Sequence, residues 1–124
     1  MRNMTPQQLG LFGEKLAKRK LENFGLDVLW VAQLDLGYDL LVNESLKVEV
    51  KTARMNVRGK FQFCLTKKDH TNIRKSDVVI LQCVFPNGCI EVFVVPTNIV
   101  ENNSQITIGG NLENYKGLVS QYRV

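Results

Sequence analysis

The fold is decided by residues 46–53, LKVEVKTA, which alternate apolar with charged or polar side chains in the manner of a β-strand. Three apolar side chains of this stretch must face the core: Leu46, Val48 and Val50. Residues two apart on a strand project to the same face, so Glu49 and Lys51 point together on the other one. The stretch therefore predicts a strand that presents a carboxylate beside an ammonium group.

Two further strands are predicted upstream of this stretch. Asp27–Gln33 and Tyr38–Val42 are rich in strand-forming residues, and Leu36-Gly37 supplies a turn between them. A three-residue loop, Asn43-Glu44-Ser45, then leads into residues 46–53. The sequence therefore predicts an antiparallel meander of three strands.

The short loop also predicts the register of the last two strands. If Leu40 and Val42 share the core face, a three-residue loop places Val42 opposite Leu46 and Asp39 opposite Glu49. Directly opposed side chains start about 4.5–5.5 Å apart, and like charges there are destabilising. A bound cation is the usual reason for two facing carboxylates; the alternative is a solvent-facing row tied by cross-strand ion pairs.

A long amphipathic helix is predicted before the meander. Thr5-Pro6-Gln7-Gln8 has a capping threonine, a proline at the first helical position and a glutamine that completes a capping box. Glu14 lies at the margin of the apolar stripe, where it could look toward a site or pair with Lys18; Gly25 ends the helix. The stripe recurs at helical spacing: Leu9, Phe12, Leu16, Ala17, Leu21 and Phe24.

The rest of the chain continues an α/β pattern. The further predicted elements are a strand Phe61–Leu65, a helix from Thr66 to about Lys75, a strand Val78–Phe85, its hairpin partner Cys89–Val95, a helical turn Thr97–Val100 and an edge strand Gln105–Ile108. Residues 78–85 are apolar almost throughout, as expected of a central strand covered on both faces. The predicted fold class is α/β, with a mixed central sheet flanked by helices in one domain spanning residues 1–124.

Charge is unevenly distributed along the chain, whose formal net charge is +4. Residues 51–75 contain eight basic side chains and one acid, whereas residues 26–50 contain five acids and one lysine. An acidic focus beside a basic flank suits cation-assisted phosphate chemistry, although two solvated faces of opposite sign would give the same pattern.

The three cysteines, Cys64, Cys83 and Cys89, lie in apolar runs without metal-binding spacing, and we expect them to be buried and reduced. The first residues lack the apolar run of a signal peptide, and no segment approaches the roughly 20 apolar residues of a membrane helix. The expected location is cytoplasmic.

The motifs together resemble the PD-(D/E)xK nuclease superfamily. They are Gly13-Glu14 on the first helix, Gly37-Tyr38-Asp39 at the second strand and Val48-Glu49-Val50-Lys51-Thr52 on the third. Within the superfamily the chain is similar to small archaeal Holliday junction resolvases and to intron-associated or restriction-type endonucleases. Tyr38 stands where the named motif has proline, and the strand at 61–65 is an addition before the second helix.

The resemblance implies roles for five residues. Asp39 and Glu49 would bind Mg²⁺, or Mn²⁺ in its place, together with the carbonyl of Val50. Lys51 would orient or deprotonate the attacking water, and Glu14 would contact a second metal or its waters. Hard oxygen donors suit Mg²⁺, which lowers the pKa of bound water and neutralises phosphate charge.

The implied partner is DNA, and the implied activity is that of a Mg²⁺-dependent endonuclease. A homodimer is expected if both strands are cut, because one site cuts one strand. Arg54, Arg58 and Lys60 form a predicted basic loop beside the site, and Lys67 and Lys68 are candidate contacts to the DNA backbone. Two alternatives remain open: a nuclease-like fold that only binds nucleic acid, and a small interaction domain in which these charges are structural.

Overall fold

The computed structural model describes residues 4–65, 75–113 and 117–124. The second helix is predicted from Thr66 to about Lys75 and contains Lys67 and Lys68. Residues 66–74 lie outside the described residues. The helices and strands are α1 (Pro6–Asn23), β1 (Val28–Trp30), β2 (Leu40–Val42), β3 (Leu46–Arg54), β4 (Lys60–Cys64), β5 (Val78–Val84), β6 (Ile90–Pro96), α2 (Thr97–Val100) and β7 (Gln105–Gly109). Single 3₁₀ turns occur at Ala32–Leu34 and Ser120–Tyr122.

Helix α1 begins as its sequence predicts. The hydroxyl of Thr5 accepts a hydrogen bond from the Gln8 N–H at 3.1 Å, and the Gln8 side chain accepts one from the Thr5 N–H at 2.9 Å. This reciprocal pair satisfies two of the N–H groups that a helix start leaves without partners. The buried stripe that follows is narrower than predicted and made of Leu9, Gly13 and Ala17. Because two of these residues are small, the helix can approach the sheet closely.

The main sheet has five strands in the order β1-β2-β3-β5-β6. Only the β3–β5 pair is parallel among these four neighbouring pairs. Val42 lies opposite Leu46 and Leu40 opposite Val48, which confirms the predicted register of β2 on β3. The paired register ends there, and Asp39 instead bonds Val48 through its N–H and Val50 through its carboxylate.

Both faces of this sheet are covered. Helix α1 packs on one face over an apolar cluster of Ala17, Val28, Leu40, Val42, Val48, Val50 and Ile80. The separate β4–β7 sheet packs on the other face over a larger cluster that includes Phe61, Phe63, Leu65, Val79, Leu81, Phe93, Ile106 and Ile108. Glu49 belongs to this second face and is buried, whereas Leu46, predicted to be in the core, is 40% exposed at the strand end.

The cysteines differ from expectation in part. Cys83 is buried on β5, and this burial, with a smaller contribution from Glu91, raises the pKa of its thiol to about 12. Cys64 and Cys89 are exposed. Cys64 alternates onto the outer face of β4, and Cys89 lies in the turn before β6, so an apolar neighbourhood in sequence did not imply burial. Within the described ranges, no helix combines the length and apolar character needed to cross a membrane.

A buried polar contact joins α1 to the sheet. Gln82 on β5 is fully buried, and its amide nitrogen donates to the Gly13 carbonyl at 2.9 Å and to the Thr52 hydroxyl at 3.1 Å. A methyl group at Gly13 would overlap the Thr52 hydroxyl and lie 2.8 Å from the Thr52 Cβ. Only glycine therefore allows the helix to sit at this depth on β3 and β5.

Replacing Gly13 by alanine should destabilise the protein by about 1–3 kcal/mol, because the added methyl group overpacks the contact with Thr52. Gly10, on the same helix, is the matched control, since nothing lies within 4 Å of a Cβ built there. Gly10→Ala should stabilise by up to about 1 kcal/mol through helix propensity. Urea unfolding of both variants measures the difference, and equal stabilities would contradict the close packing described.

Candidate active site

The main sheet opens between β2 and β3 where β2 ends at Leu40. This opening, bounded by Asp39 on one side and by residues 49–51 of β3 on the other, is called the fork. The paired register of β2 with β3 stops at Leu40 and Val48. Asp39 then makes two contacts to β3: its N–H donates to the Val48 carbonyl at 2.9 Å, and its carboxylate accepts from the Val50 N–H at 2.8 Å. Upstream of Asp39 the chain turns away through Gly37, whose φ of +92° suits glycine. Among the described strands, β3 is thus paired on its β5 side alone from Glu49 to Arg54.

The carbonyl of Val50 points into this fork. In a strand, the N–H and C=O of one residue face the same neighbour, and consecutive residues alternate between the two sides. Lys47 faces β5, because its carbonyl accepts from the Asp77 N–H, so Val48 and Val50 face the opposite side. The N–H of Val50 is held by Asp39 on that side. Its carbonyl therefore points to the same side of β3 as the Asp39 carboxylate.

Glu49 and Lys51, two residues apart on β3, form an ion pair. Their side chains approach to 3.6 Å between Oε1 and Nζ. Glu49 is 3% exposed, whereas a quarter of the Lys51 side chain is exposed. A carboxylate in an apolar surrounding needs a nearby positive charge, which the Lys51 ammonium group supplies here. The solvent-facing row considered from sequence is not what the structure has, because Glu49 is buried.

Glu14 reaches toward the sheet from α1. Its Oε1 accepts a hydrogen bond from the Trp30 indole N–H at 2.9 Å. The alternative pairing with Lys18 is not found, since Lys18 instead bonds Glu22 at 2.8 Å. Trp30 went unnoticed in the sequence, although a part-buried indole N–H usually has an acceptor and could have prompted a search for one.

The electrostatic environment of Glu14 links it to the fork. Burial raises the pKa of Glu14 above its ordinary value, and the Trp30 hydrogen bond opposes that effect. The negative charge of Asp39 raises the pKa of Glu14 further, while the positive charge of Lys51 lowers it. Glu14, Asp39 and Lys51 are thus close enough to influence one another, and Lys51 in turn contacts Glu49.

The carboxylates do not form a compact three-ligand cluster. In the part of the chain that the structure describes, no three or more His, Cys, Asp or Glu side chains are grouped closely enough to hold a metal ion. The candidate oxygen donors at the fork are the carboxylates of Asp39 and Glu49 and the Val50 carbonyl. Magnesium commonly takes one or two carboxylates and completes its coordination with water and phosphate oxygens. This all-oxygen set therefore fits Mg²⁺ without Glu14 as a direct ligand.

The predicted DNA-contacting residues divide into two groups. Arg54, Arg58 and Lys60 follow the site along β3 and the turn into β4, and Arg58 and Lys60 are exposed. That turn is built on Asn56, whose side-chain oxygen accepts from the N–H groups of Arg58 and Lys60, both at 3.0 Å. Lys67 and Lys68 lie outside the described residues.

A groove of about 300 Å³ lies at the far end of β3, where Thr52, Arg54, Asn56 and Gln62 line it together with Pro6 and Leu9 of α1. Gln62 was not singled out in the sequence. Exposed and buried side chains alternate along β4, and Gln62 lies between the buried Phe61 and Phe63. This alternation could have identified Gln62 as an outward-facing residue.

These features define the restriction-endonuclease-like fold: α1, a meander whose second and third strands fork at the carboxylates of Asp39 and Glu49, and a parallel return strand in a mixed five-stranded sheet. The solved structure of a bacterial homing endonuclease, I-Ssp6803I, matches this chain with a TM-score of 0.71 and 19% sequence identity, over 96% of this chain and 86% of that one. No protein-family model and no curated protein sequence matches the chain. At this level of identity the match establishes the fold.

Replacing Glu14 by glutamine should stabilise the metal-free protein at neutral pH. A raised pKa means that the folded state binds the proton more tightly than the unfolded chain does, so the ionised carboxylate destabilises the fold above that pKa. The penalty is lost as the pH falls through the pKa of Glu14 in the folded protein. Glutamine keeps an oxygen that can accept from Trp30 and removes the charge.

Urea unfolding in EDTA at pH 7.5 and at pH 4 measures this effect. Glu14→Gln should be more stable than the wild type at pH 7.5, and the gain should shrink at pH 4. Glu22→Gln is the control, because the exposed Glu22 pairs with Lys18 and should show no gain. A loss of stability for Glu14→Gln at pH 7.5 would contradict the burial argument.

Proposed function

We propose that this protein is a Mg²⁺-dependent endodeoxyribonuclease that hydrolyses phosphodiester bonds at the fork between β2 and β3. The observation that carries the proposal is the Asp39 carboxylate held at the Val50 N–H at 2.8 Å, with Lys51 of the same strand in contact with the buried Glu49. The restriction-endonuclease-like fold supports it, because I-Ssp6803I, which shares that fold, is an endonuclease.

The ligands for a divalent cation would be the carboxylates of Asp39 and Glu49 and the carbonyl of Val50. A bound Mg²⁺ would supply a water of lowered pKa and would neutralise charge on the phosphate. Mn²⁺, which also accepts carboxylate and carbonyl oxygens, could replace it. Glu14 would bind the waters of that ion or a second one.

Lys51 would act on the water and phosphate beside that ion. Hydrolysis forms a bond between a water oxygen and phosphorus and breaks the bond from phosphorus to the leaving sugar oxygen, which takes up a proton. The ammonium group of Lys51, partly exposed, can approach the phosphate and stabilise the charge that develops on it. Its contact with Glu49 fixes the direction of the side chain.

The DNA backbone would follow the open edge of β3. A groove lined by Thr52 and Arg54 lies further along this strand, and Arg58 and Lys60 are exposed in the adjoining turn. Cations placed in this way bind phosphates without regard to sequence and make affinity fall steeply with salt. One site cuts one strand, so cleavage of both strands, or resolution of a four-way junction, would require a homodimer related by a two-fold axis.

Cleavage of a DNA panel by the wild type and Lys51→Ala tests the catalytic role. The panel contains duplex, single-stranded, flap and four-way-junction DNA, each with Mg²⁺, Mn²⁺ or EDTA. The wild type should cut at least one substrate in either metal and none in EDTA, and Lys51→Ala should lower the rate by about 10²-fold or more. Lys47→Ala, on the exposed start of the same strand face, is the control and should cut as the wild type does. Equal rates for Lys51→Ala and the wild type would refute the role of Lys51.

Calorimetric titration with Mn²⁺ tests the metal site. Asp39→Asn should abolish the heat of binding, because it removes one of two anionic ligands while its side-chain oxygen can still accept from the Val50 N–H. Asp35→Asn is the matched control, since Asp35 is exposed and its left-handed backbone suits asparagine. Binding to Asp39→Asn as tight as to the wild type would place the metal elsewhere, and an absence of binding to the wild type would favour a nuclease fold that only binds DNA.

A further inference from the structure

The β4–β7 sheet is a two-stranded ribbon with one covered and one open face. Its antiparallel register pairs Lys60 with Gly109, Gln62 with Thr107 and Cys64 with Gln105. The inner side chains are buried in the larger apolar cluster: Phe61, Phe63, Ile106 and Ile108. The outer side chains, here called the ribbon face, are Lys60, Gln62, Cys64, Gln105 and Thr107. Thr107 is partly exposed and the other four are exposed.

The chemistry of the ribbon face is unusual for an exposed sheet surface. Small exposed sheets are generally protected from edge pairing by charged side chains, but this face has no acid and its only charge is Lys60. Gln62 and Gln105 each offer both a donor and an acceptor, and Thr107 adds a hydroxyl and a methyl group. Gln pairs with adenine, and Thr contacts the thymine methyl group, in the major groove. The face therefore carries the side chains that read base edges.

The dimensions of the ribbon match the major groove. Paired strands lie about 4.8 Å apart, so a two-stranded ribbon fits a groove about 12 Å wide, which is known to admit one. Five paired positions extend over about 17 Å at roughly 3.4 Å per residue. At about 3.4 Å per base pair, that length covers about five base pairs.

The ribbon adjoins the strand that carries Lys51. Gln62 lines the same groove as Arg54, a predicted phosphate contact three residues beyond Lys51 on β3. DNA whose phosphate lies at Arg54 would therefore pass beside Gln62.

The basic end of the ribbon is rigid. The turn with Arg58 and Lys60 is fixed by the hydrogen bonds to Asn56, and a Cβ on Gly110 would lie 3.1 Å from the Gly59 carbonyl. This close approach sets the turn against the end of β7, so the phosphate-binding cations have a defined position relative to the base-reading side chains.

We infer that the ribbon face enters the major groove of duplex DNA and makes the endonuclease sequence-selective, with Gln62, Gln105 and Thr107 reading base edges and Arg58 and Lys60 holding the flanking phosphates. The inference rests on the proposed endonuclease activity and extends it from a site of cleavage to a choice of sequence. Specificity then comes from a surface that is separate from the catalytic fork.

Cleavage of a randomised library tests the inference. Duplexes that carry a randomised 20-bp segment are incubated with the full-length protein and Mg²⁺, and the cleaved products are sequenced. The wild type should enrich a motif of about five base pairs beside the cut. Gln62→Ala and Thr107→Ala should each lose base preference at one or two positions of that motif and cut the enriched sequence about 5- to 100-fold more slowly.

Two controls separate base reading from other effects. Gln121→Ala removes an exposed glutamine from the 3₁₀ turn at 120–122 and should select the wild-type motif. Lys60→Ala should slow cleavage of all sequences and reduce the salt dependence of binding, with the preferences at the Gln62 and Thr107 positions retained.

The outcomes distinguish this inference from the proposed function. A wild type that cuts DNA without base preference would overturn the role of the ribbon face and leave the nuclease assignment intact. The same conclusion would follow if Gln62→Ala and Thr107→Ala selected an unchanged motif. A wild type that cuts no member of the library or of the structural panel would remove both proposals.

Discussion

The hydrogen bond from the Val50 N–H to the Asp39 carboxylate, at 2.8 Å, is the contact on which the site depends. It occupies the ladder position that the next residue of β2 would have taken, so an aspartate side chain replaces a strand. The edge of β3 opens beyond it, yet its first exposed N–H is satisfied rather than left to bind another chain. The same bond holds the Asp39 carboxylate at β3, on the side to which the Val50 carbonyl points. One side chain that replaces a backbone partner thus brings candidate oxygen donors together at the fork.

Two polar contacts from α1 hold the fork from the other side of the sheet. Gln82 bonds the Gly13 carbonyl and Thr52, and Trp30 bonds Glu14, one residue further along the helix. Buried polar groups are costly without partners, so a shift of the helix would break hydrogen bonds as well as apolar contacts. The contacts tie α1 to β1, β3 and β5, which are three of the five strands around the site. The position of Glu14 relative to Asp39 is therefore set by packing and not by its own flexibility.

Local features of this chain were predictable from sequence, and features that depend on distant segments were not. The capping box at Thr5 predicted the start of α1 correctly. The three-residue loop and the period-two alternation correctly predicted that Val42 lies opposite Leu46. The burial of Glu49 was missed because its face of the sheet is covered by segments distant in the chain, among them β7, which begins more than fifty residues later. The Trp30 contact joins residues sixteen apart through tertiary packing alone. Alternation identifies which side chains share a face, but it does not say what covers that face.

The arrangement at the fork links binding to stability. Neighbouring carboxylates and a buried glutamate raise the free energy of the metal-free fold, and the raised pKa of Glu14 is one expression of that cost. A cation that binds only the folded state would stabilise it by about 2.7 kcal/mol when the cation concentration is a hundred times its dissociation constant. A site of this kind is least stable when empty, because the charges that would bind the cation repel one another without it. The fold tolerates this strain because Lys51, the Val50 N–H and the Trp30 indole each offset part of it. These three groups lie against the acids that a divalent cation would bind.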